Sequence, residues 1–212
     1  PMLEVALNAI DARPTNMHDY EIDLRLGGKF RAKDNGKGMN IEDILRFLII
    51  PFNTEKTGVE EIGQFGVGFL STFNYCIRNP EQSKIEAITQ KGDERYRLLF
   101  YAKSPEVEGL WMSVRPLKPK KFSGTKVVIR GPDVCVFGES KARLLNHFKE
   151  HLREIPSFMT RINLNGECIN EAKEEDKSAG LSKWYAIPAK LKVLGREIEQ
   201  YVGVRFSKNR GL

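Results

Sequence analysis

The sequence predicts an α/β fold, with helices packed over a mixed, mostly antiparallel sheet, and three observations carry that reading. Apolar residues recur at helical spacing at the start of the chain and again between Glu139 and Glu154. Between them, short runs of alternating polar and apolar residues are punctuated by glycine turns, which is the pattern of half-buried strands. The 212 residues are 41% hydrophobic and 29% charged, a globular balance that excludes collagen-like, coiled-coil and disordered chains.

Leu3, Leu7 and Ile10 space the first helix, which ends at Arg13 because Pro14 cannot continue it. The chain opens as a helix already in mid-course, so the reading expects sequence upstream of residue 1. Tyr20 to Leu26 and Lys29 to Lys33 alternate around Gly27-Gly28 and form a hairpin. Asn40 caps a helix from Ile41 to about Ile50. Asn53 to Glu61 is a polar surface segment, and the glycine-rich turn Gly63 to Gly68 feeds a mostly buried helix through Cys76. Strands near 84–89, 96–101, 110–114 and 125–129 read as an antiparallel meander. Leu144, Leu145, Phe148 and Leu152 mark one face of the 139–154 helix, and a hairpin at 162–169 turns on Asn165-Gly166. Residues 171–178 are charged and poor in apolar groups, a linker, and strands near 190–193 and 197–205 open a further β-containing segment.

No apolar run approaches the roughly 18 residues of a membrane span, and no secretory signal pattern is present. Cys76, Cys135 and Cys168 are far apart, odd in number and form no CxxC pair, which favours a reducing, cytoplasmic setting over a disulfide framework or a cysteine zinc site. The net charge of +6 suits a polyanionic partner. The local cluster Arg115, Lys118, Lys120, Lys121 and Lys126 lacks interleaved aromatics, however, and reads as solvated surface.

Three motifs carry chemistry. Glu4, Asn8 and Asp11 fall on one face of the first helix, where a carboxylate can take a proton from water and the amide oxygen of Asn8 can ligate Mg2+. DNGKGM, Asp34 to Met39, is either an ordinary turn or a carboxylate placed to accept from an exocyclic amine such as that of adenine, with Gly36 and Gly38 letting a base approach the backbone. GQFGVGF, Gly63 to Phe69, sets glycines one, four and six before a helix, a ready anion site. It matches neither GxGxxG nor a Walker A loop, which would need a lysine where Gln64 stands.

The ordered set ExxxNAxDA from Glu4, DNGKGM from Asp34, GQFGVGF from Gly63 and SGTKVVI from Ser123 resembles the GHKL ATPases. That superfamily includes gyrase B, the ninety-kilodalton heat-shock chaperones, sensor histidine kinases and the mismatch-repair MutL proteins, and it shares the Bergerat nucleotide-binding fold. The resemblance covers roughly residues 3 to 170 and implies a two-layer sandwich that binds ATP and Mg2+ and hydrolyses ATP slowly to drive a conformational switch. IGQFGVGF is closest in wording to the heat-shock chaperones, whereas the short PFNTEKTG segment is nearer the PFFTTK of the sensor kinases.

Carried over by position, the resemblance implies that Glu4 activates the attacking water, Asn8 holds Mg2+ and Asp11 braces the pocket. Asp34 reads the adenine amine, Gly36, Gly38 and Met39 lie at the base, and Thr125 reaches it through a water. Gly63, Gln64, Phe65, Gly66, Val67 and Gly68 wrap the phosphates, and Lys56 is the lid lysine. The implied organisation is an ATP-binding domain over 1–170, the linker at 171–178 and the start of a following segment at 179–212. Implied partners are ATP and ADP and, in the full-length protein, a second copy in a nucleotide-dependent dimer. A client protein or nucleic acid is not specified by the sequence.

A competing signal lies elsewhere. His147-Phe148-Lys149-Glu150-His151 spells HxxEH, the inverted zincin signature of some zinc peptidases. It is a single five-residue match in a Lys/Glu-rich amphipathic helix, and no second motif supports a peptidase.

Overall fold

In the computed structural model, the structure describes residues 1–14, 17, 19–49, 69–103, 109–155, 157, 159–170, 185–193 and 196–204, with 47–49 and 185 onward described by backbone alone. Helix α1 spans Met2–Asp11, and strands β1 (Glu21–Arg25) and β2 (Phe30–Asp34) follow as an antiparallel hairpin. Its last register pair is Arg25 with Arg31, and four residues, 26–29 around Gly27-Gly28, connect the two strands. Helix α2 (Ile41–Ile49) starts where Asn40 was expected to cap it. The Asn40 side chain accepts from the Asp43 N–H at 2.9 Å while Asp43 accepts from the Asn40 N–H at 3.1 Å, a reciprocal capping box.

The apolar stretch after the glycine motif divides into a 3₁₀ turn, Phe69–Thr72, and helix α3, Phe73–Arg78. Phe69, Phe73 and Phe100 pack ring against ring there, with centroids 5.0 to 6.0 Å apart. Strands β3 (Lys84–Lys91), β4 (Glu94–Tyr101), β5 (Trp111–Pro116) and β6 (Gly124–Arg130) come next, then helix α4 (Gly138–Leu152) and the hairpin β7 (Arg161–Leu164) and β8 (Glu167–Cys168). Asn165 and Gly166 both have positive φ, 52° and 88°, the backbone an Asn-Gly hairpin turn requires. Among the described residues, strands β9 (Tyr185–Val193) and β10 (Arg196–Val204) pair only with each other.

The eight remaining strands form one sheet in the order β5-β4-β3-β6-β2-β1-β7-β8. The expected meander therefore holds for β3, β4 and β5 only. β6 returns to the far side of β3 and joins it to β2. The reason is legible in its residues: Val127, Val128 and Ile129 are all buried, and such an unbroken apolar run belongs at the centre of a sheet. β1 also pairs in parallel with β7, which makes the sheet mixed.

Ile22, Leu24, Phe30, Ala32, Ile85, Ala87, Leu98, Phe100, Ile162 and Leu164 alternate along their strands into one core that the helices cover. Phe148 of α4 is fully buried with its ring 6.0 Å from Phe30. On α1 the buried stripe is Met2, Val5, Ala6 and Ala9, and the expected Leu3, Leu7 and Ile10 flank it, half-buried. Charged ladders occupy the other phase of the strands: Asp23 with Arg25 and Arg31, and Glu86 with Arg97 and Arg130. One face of the sheet is thus the packed core, while the other carries these charged pairs together with the buried Val128 and Gln90. Cys76 is buried and its thiol is pushed up to about 11 by that burial, and all three cysteines are free.

Truncating a ring in this core is expected to be costly where a surface ion pair is not. Phe148→Ala lowers unfolding free energy by about 3–5 kcal/mol. Glu167→Ala, which removes a part-exposed pair with Lys149 at 2.9 Å, costs less than about 1 kcal/mol. Urea denaturation of both variants checks the contrast, and similar losses would contradict the placement of α4.

Candidate functional site

Three neighbouring strands bring the site residues together. β2 lies beside β6 in a register that pairs Lys33 with Lys126, so Asp34 and Thr125 are next in line, and β6 pairs Thr125 with Thr89 of β3. Asp34 is buried, and its Oδ1 accepts from the Gly36 N–H at 2.9 Å and the Thr125 N–H at 3.1 Å. Both bonds fall on Oδ1, and the lone pairs of Oδ2 give the carboxylate further capacity to accept from a ligand.

Burial raises the Asp34 carboxyl to about 6, against the opposing pull of the Gly36 and Thr125 N–H groups, its own backbone N–H and Lys33. A carboxylate kept this dry at the end of a strand is poorly placed for stability and well placed for recognition. Beside it, Tyr20 is buried, donates its hydroxyl proton to the Ala9 carbonyl and wedges between α1 and the loop. Its phenol is pushed well above the ordinary range by burial, and by the charges of Asp34 and Asp11.

The glycines of DNGKGM answer to the loop's own packing. A Cβ on Gly36 would sit 2.5 Å from the Ala12 carbonyl oxygen and 3.0 Å from the Tyr20 ring. Gly38 has φ +63°, and a Cβ there would lie 1.9 Å from the Gln90 carbonyl oxygen. Gly124, with φ +115°, would set a Cβ 2.4 Å from the Asp34 carbonyl oxygen. Only glycine lets these three segments close on one another. The Ser123 hydroxyl fastens them by donating to the Gly36 carbonyl at 3.0 Å and the Gln90 carbonyl at 3.3 Å.

Thr89 is a site residue that the motif reading missed. It is fully buried, its Oγ1 accepts from the Met39 N–H at 2.8 Å, and it shares a 3.0 Å hydrogen bond with the Thr125 hydroxyl. It therefore ties Met39 to Thr125 across the sheet. The signal was present in strand phase: Ile85, Ala87 and Thr89 share the core-facing side of β3, and the third of them is polar.

Helix α1 adjoins this cluster through its C-terminal end, where the Lys37 N–H donates to the Ala12 carbonyl at 3.2 Å. Asn8 and Glu4 are half-buried, about one and two turns back along the helix, roughly 6 and 12 Å of rise from Ala12. Asp11 is half-buried at the near end. The described contacts thus unite Asp34, Gly36, Gly38, Met39 and Thr125, and set α1 with Glu4, Asn8 and Asp11 alongside. Lys56 and Gly63, Gln64, Phe65, Gly66, Val67 and Gly68 lie outside the described residues. His147, Glu150 and His151 are apart from this cluster in sequence and exposed on α4.

The family described as histidine kinase-, DNA gyrase B-, and HSP90-like ATPase matches residues 2–101. That span includes Glu4, Asn8, Asp11, Asp34 and the whole glycine motif. No curated protein matches the chain.

Because the Asp34 carboxyl is raised in the fold from 3.8 to about 6, its protonated form is the better tolerated one. The group therefore opposes folding increasingly as pH rises from near 4 through about 6, and the full cost persists above. Asp34→Asn is expected to leave the fold intact and to make it more stable at neutral pH, on the order of 1–3 kcal/mol, with the gain vanishing in acid. Denaturation curves on either side of pH 6 measure this, and a loss of stability at neutral pH would contradict it. Gly38→Ala has the opposite sign and costs at least about 2 kcal/mol through strain and contact with Gln90.

Proposed function

Residues 2–101 belong to the GHKL superfamily of ATPases, and from that premise we propose that the chain binds ATP with Mg2+ and hydrolyses it slowly to drive a conformational switch. The observation that carries the proposal is Asp34: a buried carboxylate with one oxygen fixed by two backbone N–H groups and further capacity on the other to accept from a donor. An exocyclic amine satisfies that acceptor, whereas the carbonyl of guanine would set acceptor against acceptor. Thr125, held by Thr89, offers a hydroxyl beside it.

On α1, Asn8 would hold Mg2+ through its amide oxygen and Glu4 would take the proton of the attacking water, while Asp11 braces the helix end beside the Asp34 loop. Mg2+ held there would supply positive charge against the phosphates while the terminal phosphoryl group passes to water and ADP departs. Lys56 and Gly63 to Gly68 would surround the phosphates with a cation and backbone N–H donors. We assign this site to a domain over 1–170, followed by a linker at 171–178 and a further segment. The wording IGQFGVGF favours a heat-shock-chaperone-like switch over MutL-like, topoisomerase-like or histidine kinase roles. Such a switch would pair two copies on ATP, in the cytoplasm.

The variants separate the roles. Asp34→Asn abolishes or severely weakens ATP binding in calorimetry, and wild-type affinity falls as pH drops through about 6, because the protonated carboxyl loses an acceptor. Glu4→Ala still binds Mg-ATP but loses turnover on the order of 100-fold or more. Asn8→Ala loses the Mg2+-dependent part of the affinity. Undiminished ATP affinity in folded Asp34→Asn would remove the adenine assignment, and wild-type hydrolysis by both α1 variants would remove theirs.

A further inference from the structure

The nucleotide reading leaves the HxxEH segment of α4 unused. His147, Glu150 and His151 stand at positions i, i+3 and i+4, so they share one face of the helix. Phe148 and Leu152, both fully buried, hold the opposite face against the sheet. All three side chains are exposed, and one ligand atom from each lies within 4.8 Å of the other two. The two imidazole rings are 4.2 Å apart between centroids.

Three further features suit a cation. His151 Nδ1 lies 2.8 Å from the His147 carbonyl oxygen. That bond is made when Nδ1 carries the proton, which leaves the Nε2 lone pair for a metal, the arrangement that orients most histidine ligands. Of the neighbouring cations, Lys149 pairs with Glu167 at 2.9 Å and Arg153 with Glu154 at 2.8 Å, while Arg143 stands one turn before His147. Finally, the three residues sit in the last turns of α4, where the helix dipole favours positive charge.

We propose that His147, Glu150 and His151 form a surface site for a late first-row divalent cation, with Zn2+ as its representative. Two imidazoles and one carboxylate are a borderline donor set that suits Zn2+, Co2+, Ni2+ and Cu2+ and not Mg2+ or Ca2+. Tetrahedral bonds of about 2.0–2.1 Å place ligands about 3.4 Å apart. The ligand atoms start within 4.8 Å of one another on an exposed face, where side-chain torsions are free to bring them to that spacing. Three protein ligands leave the fourth position to water. In a peptidase bearing this signature the glutamate serves the reaction rather than the metal, and here it completes the ligand set.

The probe is Co2+ added to the intact chain without nucleotide, followed by optical absorption, with Zn2+ calorimetry beside it. The expected result is one equivalent bound, with the weak visible bands of nitrogen and oxygen ligation and no thiolate charge-transfer band. Zn2+ should also raise the thermal midpoint, since the metal clamps the last turn of α4. His147→Ala and His151→Ala should each weaken binding by tenfold or more and remove that rise, and Glu150→Gln should weaken it less. Because all three side chains are exposed, the variants keep their fold, which the metal-free melting curve checks. No binding by the wild-type chain, a thiolate band pointing to Cys135 or Cys168, or undiminished affinity in the double histidine variant would overturn the site. The outcome is independent of whether ATP binds.

Discussion

The site depends on the alignment of β2, β6 and β3, which places Asp34, Thr125 and Thr89 in a row across the sheet. Each of the three is buried or half-buried and held in place: Asp34 by the Thr125 N–H, Thr125 by the Thr89 hydroxyl, and Thr89 by the Met39 N–H from the loop after β2. A slip of one residue in either pairing would turn these side chains to the opposite face of the sheet. The glycines at 36, 38 and 124 serve the same alignment, since any side chain there would push the three segments apart.

That arrangement explains why so polar a cluster survives in a small core. Asp34 costs stability while ionised, and its cost is offset by the apolar burial around it, from Phe30 and Ala32 on its own strand to Val127 and Ile129 on the next. A charge of this kind persists where it is used. The placement of α1 follows the same logic, because Val5, Ala6 and Ala9 are small enough to let its backbone lie close to the sheet while Glu4 and Asn8 remain half-exposed.

Much of the fold was legible in sequence, for reasons that differ from element to element. Asn40, Asn165-Gly166 and the alternation of β1 to β4 are local signals, and each appears where local chemistry put it. The return of β6 to the middle of the sheet and the parallel pairing of β1 with β7 are long-range, and no short window encodes them. Asp34 and the α1 face stood out because their motifs are contiguous. Thr89 did not, because its importance comes from the residue opposite it on another strand.

The pairing of Glu21 with Arg161 joins positions 140 residues apart, and this bears on how the chain reaches its native state. At a synthesis rate of about 5–20 residues per second, β1 emerges roughly 7–28 seconds before the strand that will cover its edge. During that interval the β1–β2 hairpin exposes one row of unpaired backbone groups beside β1 and another beside β2, which waits for β6. Separations this long make closure of the sheet a late and slow event, and the nascent hairpin is the part of the molecule most open to pairing with the wrong strand.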